Sequence, residues 1–181
     1  MENNRSKKQI KPNIIVSRCL LGEPCRFDQT DKYSDDVYKL RKYVNFIDIC
    51  PEMDIGLGTP RETLRSVIDA SQRIKLVSNV NHIDITNRMN DFLDSFFKHQ
   101  SNIDGAILKS KSPSCGYNNT ALFDENNKRL PQKSSGFFTL RLIKEFPHAR
   151  ITDEQGLKDH PTSVHFYAEI FDDRTSLYFK E

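Results

Sequence analysis

The chain has 181 residues, the usual size of one domain with a sizeable apolar core. Its formal net charge of +2 indicates no strong electrostatic attraction to nucleic acid or to membranes. No apolar stretch approaches the roughly 20 residues of a membrane helix, and the polar, basic first residues do not resemble a signal peptide. We therefore expect a cytoplasmic protein whose cysteines stay reduced and suit metal binding or catalysis better than disulfides.

Strand-like and helix-like patterns alternate along the chain. Residues 1–12 are predicted to form a basic disordered tail, and residues 13–181 a single α/β domain. Predicted strands lie at 13–17, 46–50, 74–77, 104–109 and 149–152, and predicted helices at 34–44, 86–100, 136–146 and in about the last 25 residues. The alternation predicts one doubly wound, mostly parallel sheet of the Rossmann-like or flavodoxin-like kind, with helices on both faces.

The helix predicted at 86–100 has the clearest pattern. Its apolar side chains recur every three or four residues and form one core-facing stripe, made of Met89, Phe92, Leu93, Phe96 and Phe97. Thr86 is expected to cap its first turn, as Ser34 is expected to cap the helix at 34–44. The turn-forming residues of the segments 18–33 and 117–135 predict loops.

Three of the four cysteines follow predicted strands. Cys19 comes shortly after the first strand, Cys50 stands at the end of the second, and Cys115 follows the strand at 104–109 through a Lys-Ser loop. Because the carboxyl ends of parallel strands meet at one edge, where open α/β sheets bind ligands, these thiols are expected to converge on a metal or cluster site. A lone cysteine is usually just a small buried apolar residue, but three matching positions do not favour that interpretation.

The spacing of the cysteines bears on the metal they would hold. Structural zinc sites usually use close pairs such as C-x2-C, whereas Cys19 and Cys25 are separated by five residues. An iron–sulfur cluster is larger and can take thiolates from separate loops. Three thiolates on a cubane cluster would leave one iron open as a Lewis acid for a soft donor, sulfur above all. Spacing alone leaves zinc and an iron–sulfur cluster both open.

Polar residues beside the cysteines are candidates for acid–base chemistry and substrate binding. Glu52, two residues after Cys50, is a candidate general acid and base, although a single Glu in a loop is more often a solvated charge. Ser112 and Ser114 precede Cys115, where hydroxyl groups either contact a substrate or cap a turn. Lys109 would hold an anion or face water, and four further polar side chains in loops at this edge, which would touch substrate or pair structurally, are Arg26, Asp28, Arg61 and Glu62.

Five motifs follow one another along the chain. They are Val16-Ser17-Arg18-Cys19-Leu20-Leu21-Gly22, Cys25-Arg26-Phe27-Asp28, Cys50-Pro51-Glu52, Gly56-Leu57-Gly58-Thr59-Pro60-Arg61-Glu62 and Lys109-Ser110-Lys111-Ser112-Pro113-Ser114-Cys115-Gly116. With these motifs the chain resembles, over residues 13–175, the thiouracil desulfurase family, which was long catalogued as a domain of unknown function.

The resemblance implies an oxygen-sensitive cytoplasmic enzyme with a [4Fe-4S] cluster on Cys19, Cys50 and Cys115. It also implies that the thiocarbonyl sulfur of a thiopyrimidine binds the open iron, that Glu52 is the acid–base residue and that Ser112 is the catalytic serine. The implied reaction converts a thiouracil- or thiouridine-type pyrimidine to its oxo form without redox chemistry and releases hydrosulfide.

Two features depart from the family's pattern. Gln29-Thr30 stand where the family usually has a glycine after an Arg-Tyr-Asp segment. The segment 137–171 resembles members that act on 4-thiouridine in RNA and continue into a further domain, before which this sequence ends. We therefore expect a small thiopyrimidine or thionucleoside as substrate rather than thiolated tRNA. The alternative from another class is a non-catalytic zinc or iron–sulfur protein with a structural or sensory role.

Overall fold

The computed structural model describes residues 11–171, so the predicted tail lies almost wholly outside the described residues, as does the end of the chain. The strands of this part are β1 Asn13–Ser17, β2 Asn45–Ile49, β3 Leu64–Ile68, β4 Ile74–Ser78, β5 Gly105–Leu108, β6 Thr120–Phe123, β7 Arg129–Ser134 and β8 Arg150–Asp153. Its α-helices are α1 Asp35–Lys39, α2 Pro51–Asp54, α3 Thr86–Lys98, α4 Phe137–Glu145 and α5 His160–Phe171. Short 3-10 helices follow β1 at Arg18–Leu21 and α1 at Leu40–Lys42.

Four strands form a parallel sheet, sheet A, in the order β2-β1-β5-β8. Strand β1 pairs in parallel with β2 and with β5, and β5 pairs in parallel with β8. Ile14, Ile15 and Val16 of the central strand β1 are fully buried, as expected of β-branched residues in a strand covered on both faces. The predicted α/β class with a mostly parallel sheet is therefore confirmed.

The other four strands form a second, mixed sheet, sheet B, in the order β4-β3-β6-β7. The prediction that all strands share one sheet is thus corrected, as is the loop predicted at 117–135, which contains β6 and β7. Strand β7 is an edge strand with mostly exposed polar residues and Pro131, so it lacks the apolar alternation of a buried strand. Its pairing with β6 follows a tight turn in which Asn127 has a φ of 63°. Backbone pairing of this kind leaves little trace in the apolar pattern.

The helix predicted at 86–100 is present as α3, and its stripe faces the core. Met89, Leu93 and Phe97 are buried, and Phe97 packs edge to face against Phe96. Thr86 does not cap this helix, however. Its hydroxyl accepts a hydrogen bond from the Leu76 N–H at 2.9 Å and thereby ties α3 to β4. Likewise, Ser34 stands before α1 but makes no side-chain capping bond.

Side chains of sheet A divide between two apolar clusters, one on each face. In β1, Ile15 belongs to the cluster that contains the α3 and α4 residues, whereas Ile14 and Val16 belong to the cluster that contains α1 and α5 residues. This division follows the two-residue period of a strand and places helices on both faces, as predicted. Within residues 11–171, no helix is long and apolar enough to cross a bilayer.

Candidate active site

The carboxyl ends of β1, β2 and β5 lead into one cavity of about 420 Å³. The chain turns into a 3-10 helix after β1, into α2 after β2 and into the loop 109–115 after β5. All four cysteines line the cavity, namely Cys19, Cys25, Cys50 and Cys115. The structure thus brings the thiols together at this edge of the sheet, as the sequence led us to expect.

The cysteines are largely shielded from solvent. Cys25, for which the sequence suggested no role, accepts a hydrogen bond from the Cys50 thiol through its carbonyl oxygen at 3.7 Å. The neighbouring Cys19, together with burial, raises the pKa of the Cys25 thiol to about 12. The neighbouring Cys25 and burial raise the pKa of Cys50, and burial raises that of Cys115. A bound metal cation deprotonates a coordinating thiol outright, so these raised pKa values do not oppose a ligand role.

The two candidate metal groups, a zinc ion and an iron–sulfur cluster, differ in the ligands that they need. In the described part of the chain, no three Cys, His, Asp or Glu side chains stand close enough together to hold a single metal ion. A structural zinc ion needs four ligands within bonding distance. A cluster is larger than one ion and is held entirely by thiolates, which is the donor type that this cavity offers.

Glu52 is held at the cavity wall by two hydrogen bonds and an ion pair. Pro51 occupies the first position of α2, where its missing N–H costs nothing, and Glu52 follows it. The Arg61 Nε donates to Oε2 of Glu52 at 2.9 Å, and the Ser114 hydroxyl donates to Oε1 at 2.9 Å. The Arg61 Nη2 stands 2.8 Å from Oε2 in the ion pair. The Glu52 side chain is only 13% exposed, so the solvated loop charge that a lone Glu usually represents does not describe it.

Arg61 binds several groups in this wall of the cavity. Besides its bonds to Glu52, its Nη1 donates to the carbonyl oxygen of Gly58 at 2.7 Å and to that of Cys25 at 3.1 Å. The sequence placed Arg61 at this edge as a residue that touches substrate or pairs structurally, but it did not indicate Glu52 as its partner. Its place in the Gly56–Glu62 motif, next to Pro60, was the available signal, because a buried Arg side chain needs several acceptors and turn backbones supply them.

Ser112 lines the cavity and also shapes the turn that carries Cys115. Its hydroxyl oxygen accepts hydrogen bonds from the backbone N–H groups of Ser114 at 3.2 Å and of Cys115 at 3.1 Å. The turn is tight at Gly116, where a Cβ atom would stand 2.8 Å from the Ser112 carbonyl oxygen. Ser114 is buried outside the cavity lining and reaches the site through Glu52.

Lys109 lines the cavity, but its amino group is already engaged. Its Nζ forms an ion pair with Oε1 of Glu154 and donates to Oγ of Ser110 at 2.8 Å. Oε2 of Glu154 accepts the Ser110 N–H at 2.9 Å, and its Oε1 accepts the Ser110 hydroxyl at 2.6 Å. Burial raises the pKa of Glu154, but the bonds from Lys109 and Ser110 outweigh it and lower the pKa to about 2. Lys109 and Glu154 therefore anchor the start of the loop 109–115.

Glu154 was absent from the sequence analysis although the strand-end argument applies to it. It directly follows β8, which was predicted within one residue, and β8 is the neighbour of β5 in sheet A. A carboxylate at that position therefore meets the loop that leaves β5.

The remaining candidates, Arg26 and Asp28, lie on the loop after the first 3-10 helix. Arg26 lines the cavity, and its guanidinium stands 5.3 Å from the centroid of the Phe27 ring. Asp28 is not part of the cavity wall. It accepts hydrogen bonds from the N–H and hydroxyl of Thr30 and stands 3.6 Å from the Arg26 guanidinium, so it supports Arg26 rather than facing a ligand.

Comparison with known proteins agrees with this arrangement. The model of the 2-thiouracil desulfurase family matches residues 14–154. The uncharacterized protein YbbK of Bacillus subtilis (strain 168) is 31% identical over 120 residues, which are 59% of this chain and 78% of YbbK. A solved structure of the [4Fe-4S]-dependent thiouracil desulfidase TudS superposes with a TM-score of 0.63 at 26% identity and covers 86% of this chain and 99% of its own.

Proposed function

Because this chain belongs to the 2-thiouracil desulfurase family, we propose that it is an iron–sulfur enzyme that desulfurises a thiolated pyrimidine. In the proposed reaction, water and the thiocarbonyl compound give the oxo pyrimidine and hydrosulfide, with no change in redox state. One observation carries the proposal: three thiols from three strand ends and the Glu52 carboxylate line the same cavity.

Cys19, Cys50 and Cys115 are the residues proposed to hold a [4Fe-4S] cluster. Their sulfur donors are of the type that such clusters use, and each comes from a different strand end, which suits a ligand set larger than a single ion. Bound through three thiolates, the cluster would supply one iron with an open position, a Lewis acid suited to thiocarbonyl sulfur. TudS, which shares the fold of this chain, is named as [4Fe-4S]-dependent.

Glu52 is proposed as the general base and acid. Each carboxylate oxygen has two lone pairs, so the bonds from Arg61 and Ser114 leave room for a water molecule in the cavity to donate to Glu52. Glu52 takes a proton from that water as the water oxygen attacks the thiocarbonyl carbon, and gives this proton to the leaving sulfur as the carbon–sulfur bond breaks. The second proton of the water leaves to solvent as the oxo group forms. Arg61 and Ser114 fix the carboxylate during both transfers, and Ser112 orients the substrate or the water.

The substrate proposed is a small thiopyrimidine or thionucleoside. A cavity of about 420 Å³ lies within the range of small-molecule sites and exceeds what a single pyrimidine ring fills. Arg26 is proposed to contact the substrate, whereas Lys109 and Asp28 are bound to protein groups and serve the loops instead. Thiolated tRNA is the other substrate to test.

Anaerobic turnover with a panel of thiolated compounds tests the proposal. Cluster-loaded protein should be brown, and it should convert 2-thiouracil, 4-thiouracil or a thionucleoside to the oxo compound with one hydrosulfide released per turnover. Thiolated tRNA belongs in the same panel, and Cys50→Ala protein is the matched control without a complete ligand set. A colourless zinc-containing protein, or a brown protein that converts none of these compounds, would favour the non-catalytic structural or sensory alternative.

A further inference from the structure

The cavity contains one aromatic side chain. Among the described residues that line it, Phe27 alone carries an aromatic ring, and the rest of the apolar lining is aliphatic, from Ile49, Leu64 and two prolines. The guanidinium of Arg26, itself a flat group, lies over the Phe27 ring. Phe27 and Arg26 thus form a stacked pair at this wall.

Phe27 is held in place by the opposite loop. Three successive carbonyl oxygens accept hydrogen bonds from residues 59–61: that of Cys25 from Arg61 Nη1 at 3.1 Å, that of Arg26 from the Thr59 hydroxyl at 2.6 Å, and that of Phe27 from the Arg61 N–H at 3.0 Å. The Arg26 side chain is fixed in turn, since its Nε donates to the Thr30 hydroxyl at 3.1 Å. A backbone held at three successive residues presents its side chain at little entropic cost on binding.

Arg61 therefore joins two parts of the site. The same guanidinium that holds Glu52 also bonds the Cys25 carbonyl, two residues before Phe27. A flat ring placed against Phe27 would thus stand at a distance from Glu52 that the Arg61 contacts fix. A site needs such a fixed distance between the ring and Glu52 when one ring carbon must lie next to one carboxylate.

We propose that Phe27 is the stacking residue for the pyrimidine ring of the substrate, with the Arg26 guanidinium packed on the Phe27 ring. The inference rests on the proposed function, because it takes the ligand to be a thiopyrimidine. A planar unsaturated base has a π-face whatever its sulfur position, and an aromatic side chain binds such a face in a way that an aliphatic one of equal bulk does not.

The test separates stacking from filling of space. Inhibition constants for uracil and for 5,6-dihydrouracil, whose ring is neither planar nor aromatic, are measured against turnover of 4-thiouracil by cluster-loaded protein. Phe27→Leu removes the ring and keeps apolar bulk. It should raise the inhibition constant of uracil about 5-fold to 150-fold, the usual cost of one lost base–aromatic stack, and hardly change that of dihydrouracil. Phe27→Tyr and Phe27→Trp should keep the wild-type preference for uracil.

A matched control and the contrary outcomes complete the experiment. Tyr33 lies on the same loop, is exposed and contacts Tyr38 with the two rings tilted, and it does not line the cavity, so Tyr33→Leu should leave both constants unchanged. Iron content is measured for every variant, and Phe27→Met replaces Phe27→Leu if the latter loses its cluster. Equal constants for uracil in wild type and in a cluster-loaded ring-free variant would overturn the inference while leaving the proposed function intact. A wild-type protein that neither binds uracil nor converts any thiopyrimidine would instead remove the proposed function.

Discussion

Two buried ion pairs hold opposite sides of the cavity, and they differ in what their carboxylates can still do. Glu52, bonded to Arg61 and Ser114, lines the cavity and keeps acceptor capacity towards it. Glu154, bonded to Lys109 and Ser110, lies behind the loop 109–115 and is not part of the cavity wall. A buried carboxylate bonded to a cationic side chain and a serine thus suits chemistry at the first position and anchoring at the second.

The difference shows that burial and a cationic partner do not by themselves mark a catalytic carboxylate. The pKa of Glu154 is lowered to about 2 by its contacts, yet Glu154 faces only protein groups. Glu52 faces the space in which a substrate would bind. Access to the cavity, rather than the strength of the ion pair, is the reason for proposing Glu52 for proton transfer.

The largest effect should come from the cysteines that join the two sides. Cys50 belongs to the Glu52 side and Cys115 to the Glu154 side, so loss of either, like loss of Cys19, should abolish retention of the cluster. Cys25→Ala should keep most of it, because Cys25 is not needed for a three-thiolate set. Iron and sulfide content after anaerobic reconstitution measure this directly. The ligand assignment is wrong if Cys25→Ala protein lacks iron while Cys19→Ala protein holds four iron atoms.

Next in size is the loss expected from Glu52→Gln. The amide keeps the size of the side chain and its hydrogen-bonding reach but cannot accept the proton of the attacking water. Turnover at saturating substrate should fall by roughly 10²-fold to 10⁴-fold, the usual contribution of a positioned acid–base group, with the cluster retained. Rates are compared per cluster in anaerobic assays.

Glu154→Gln is the matched control for that experiment, since it makes the same change in the other ion pair. Its turnover per cluster at neutral pH should stay well above that of Glu52→Gln, because Glu154 does not face the cavity. Full activity in cluster-loaded Glu52→Gln protein would contradict the proposed mechanism and leave the metal centre acting without this base.

The two sides also differ in how far the sequence predicted them. Strand ends located Cys19, Cys50 and Glu52, because an apolar run that stops at a polar loop is visible in the sequence and parallel strands bring their ends together. The same pattern did not reveal that Arg61 binds Glu52, since the loop 56–62 reaches the site through turns whose path depends on tertiary contacts.

Sheet B shows more clearly which strands the apolar pattern of the sequence does not predict. Its strands β6 and β7 are short, half exposed and joined by a turn, so their pairing comes from backbone hydrogen bonds that any polar sequence can make. The central strands of sheet A, β1 and β5, are by contrast largely buried and apolar, and such runs are visible in the sequence.

The pH dependence of the free energy of unfolding should also distinguish the two ion pairs. The pKa of Glu154 is lowered from 4.5 to about 2 in the folded state, so its contribution to stability is complete above pH 4.5. As the pH falls from 4.5 towards 2, the unfolded chain binds the proton first and this contribution is lost. The shift corresponds to a free energy on the order of 3 kcal/mol.

Urea unfolding of the cluster-free protein at pH about 6 and about 3 measures this loss. At the higher pH, Glu154→Gln protein should unfold at a lower urea concentration than the wild type. Its unfolding midpoint should also change less between the two pH values than that of the wild type. Glu145→Gln removes a carboxylate from an exposed ion pair with Arg141 and should keep the wild-type dependence on pH. An equal pH dependence in wild type and Glu154→Gln would mean that Glu154 does not anchor the loop.

The smallest effect is expected from Ser112→Ala, on the Glu154 side. The Ser112 hydroxyl accepts hydrogen bonds from two backbone N–H groups of its own turn. Water in the cavity can replace much of the hydrogen bonding that this hydroxyl offers to a substrate. Loss of one hydrogen bond of ordinary strength lowers turnover by about 2-fold to 10-fold. Ser112→Thr, which keeps the hydroxyl, should recover most of that loss in the same assay. If Ser112→Ala instead loses as much turnover as Glu52→Gln, then Ser112 takes part in proton transfer, and the division between a chemical side and an anchoring side of the cavity is wrong.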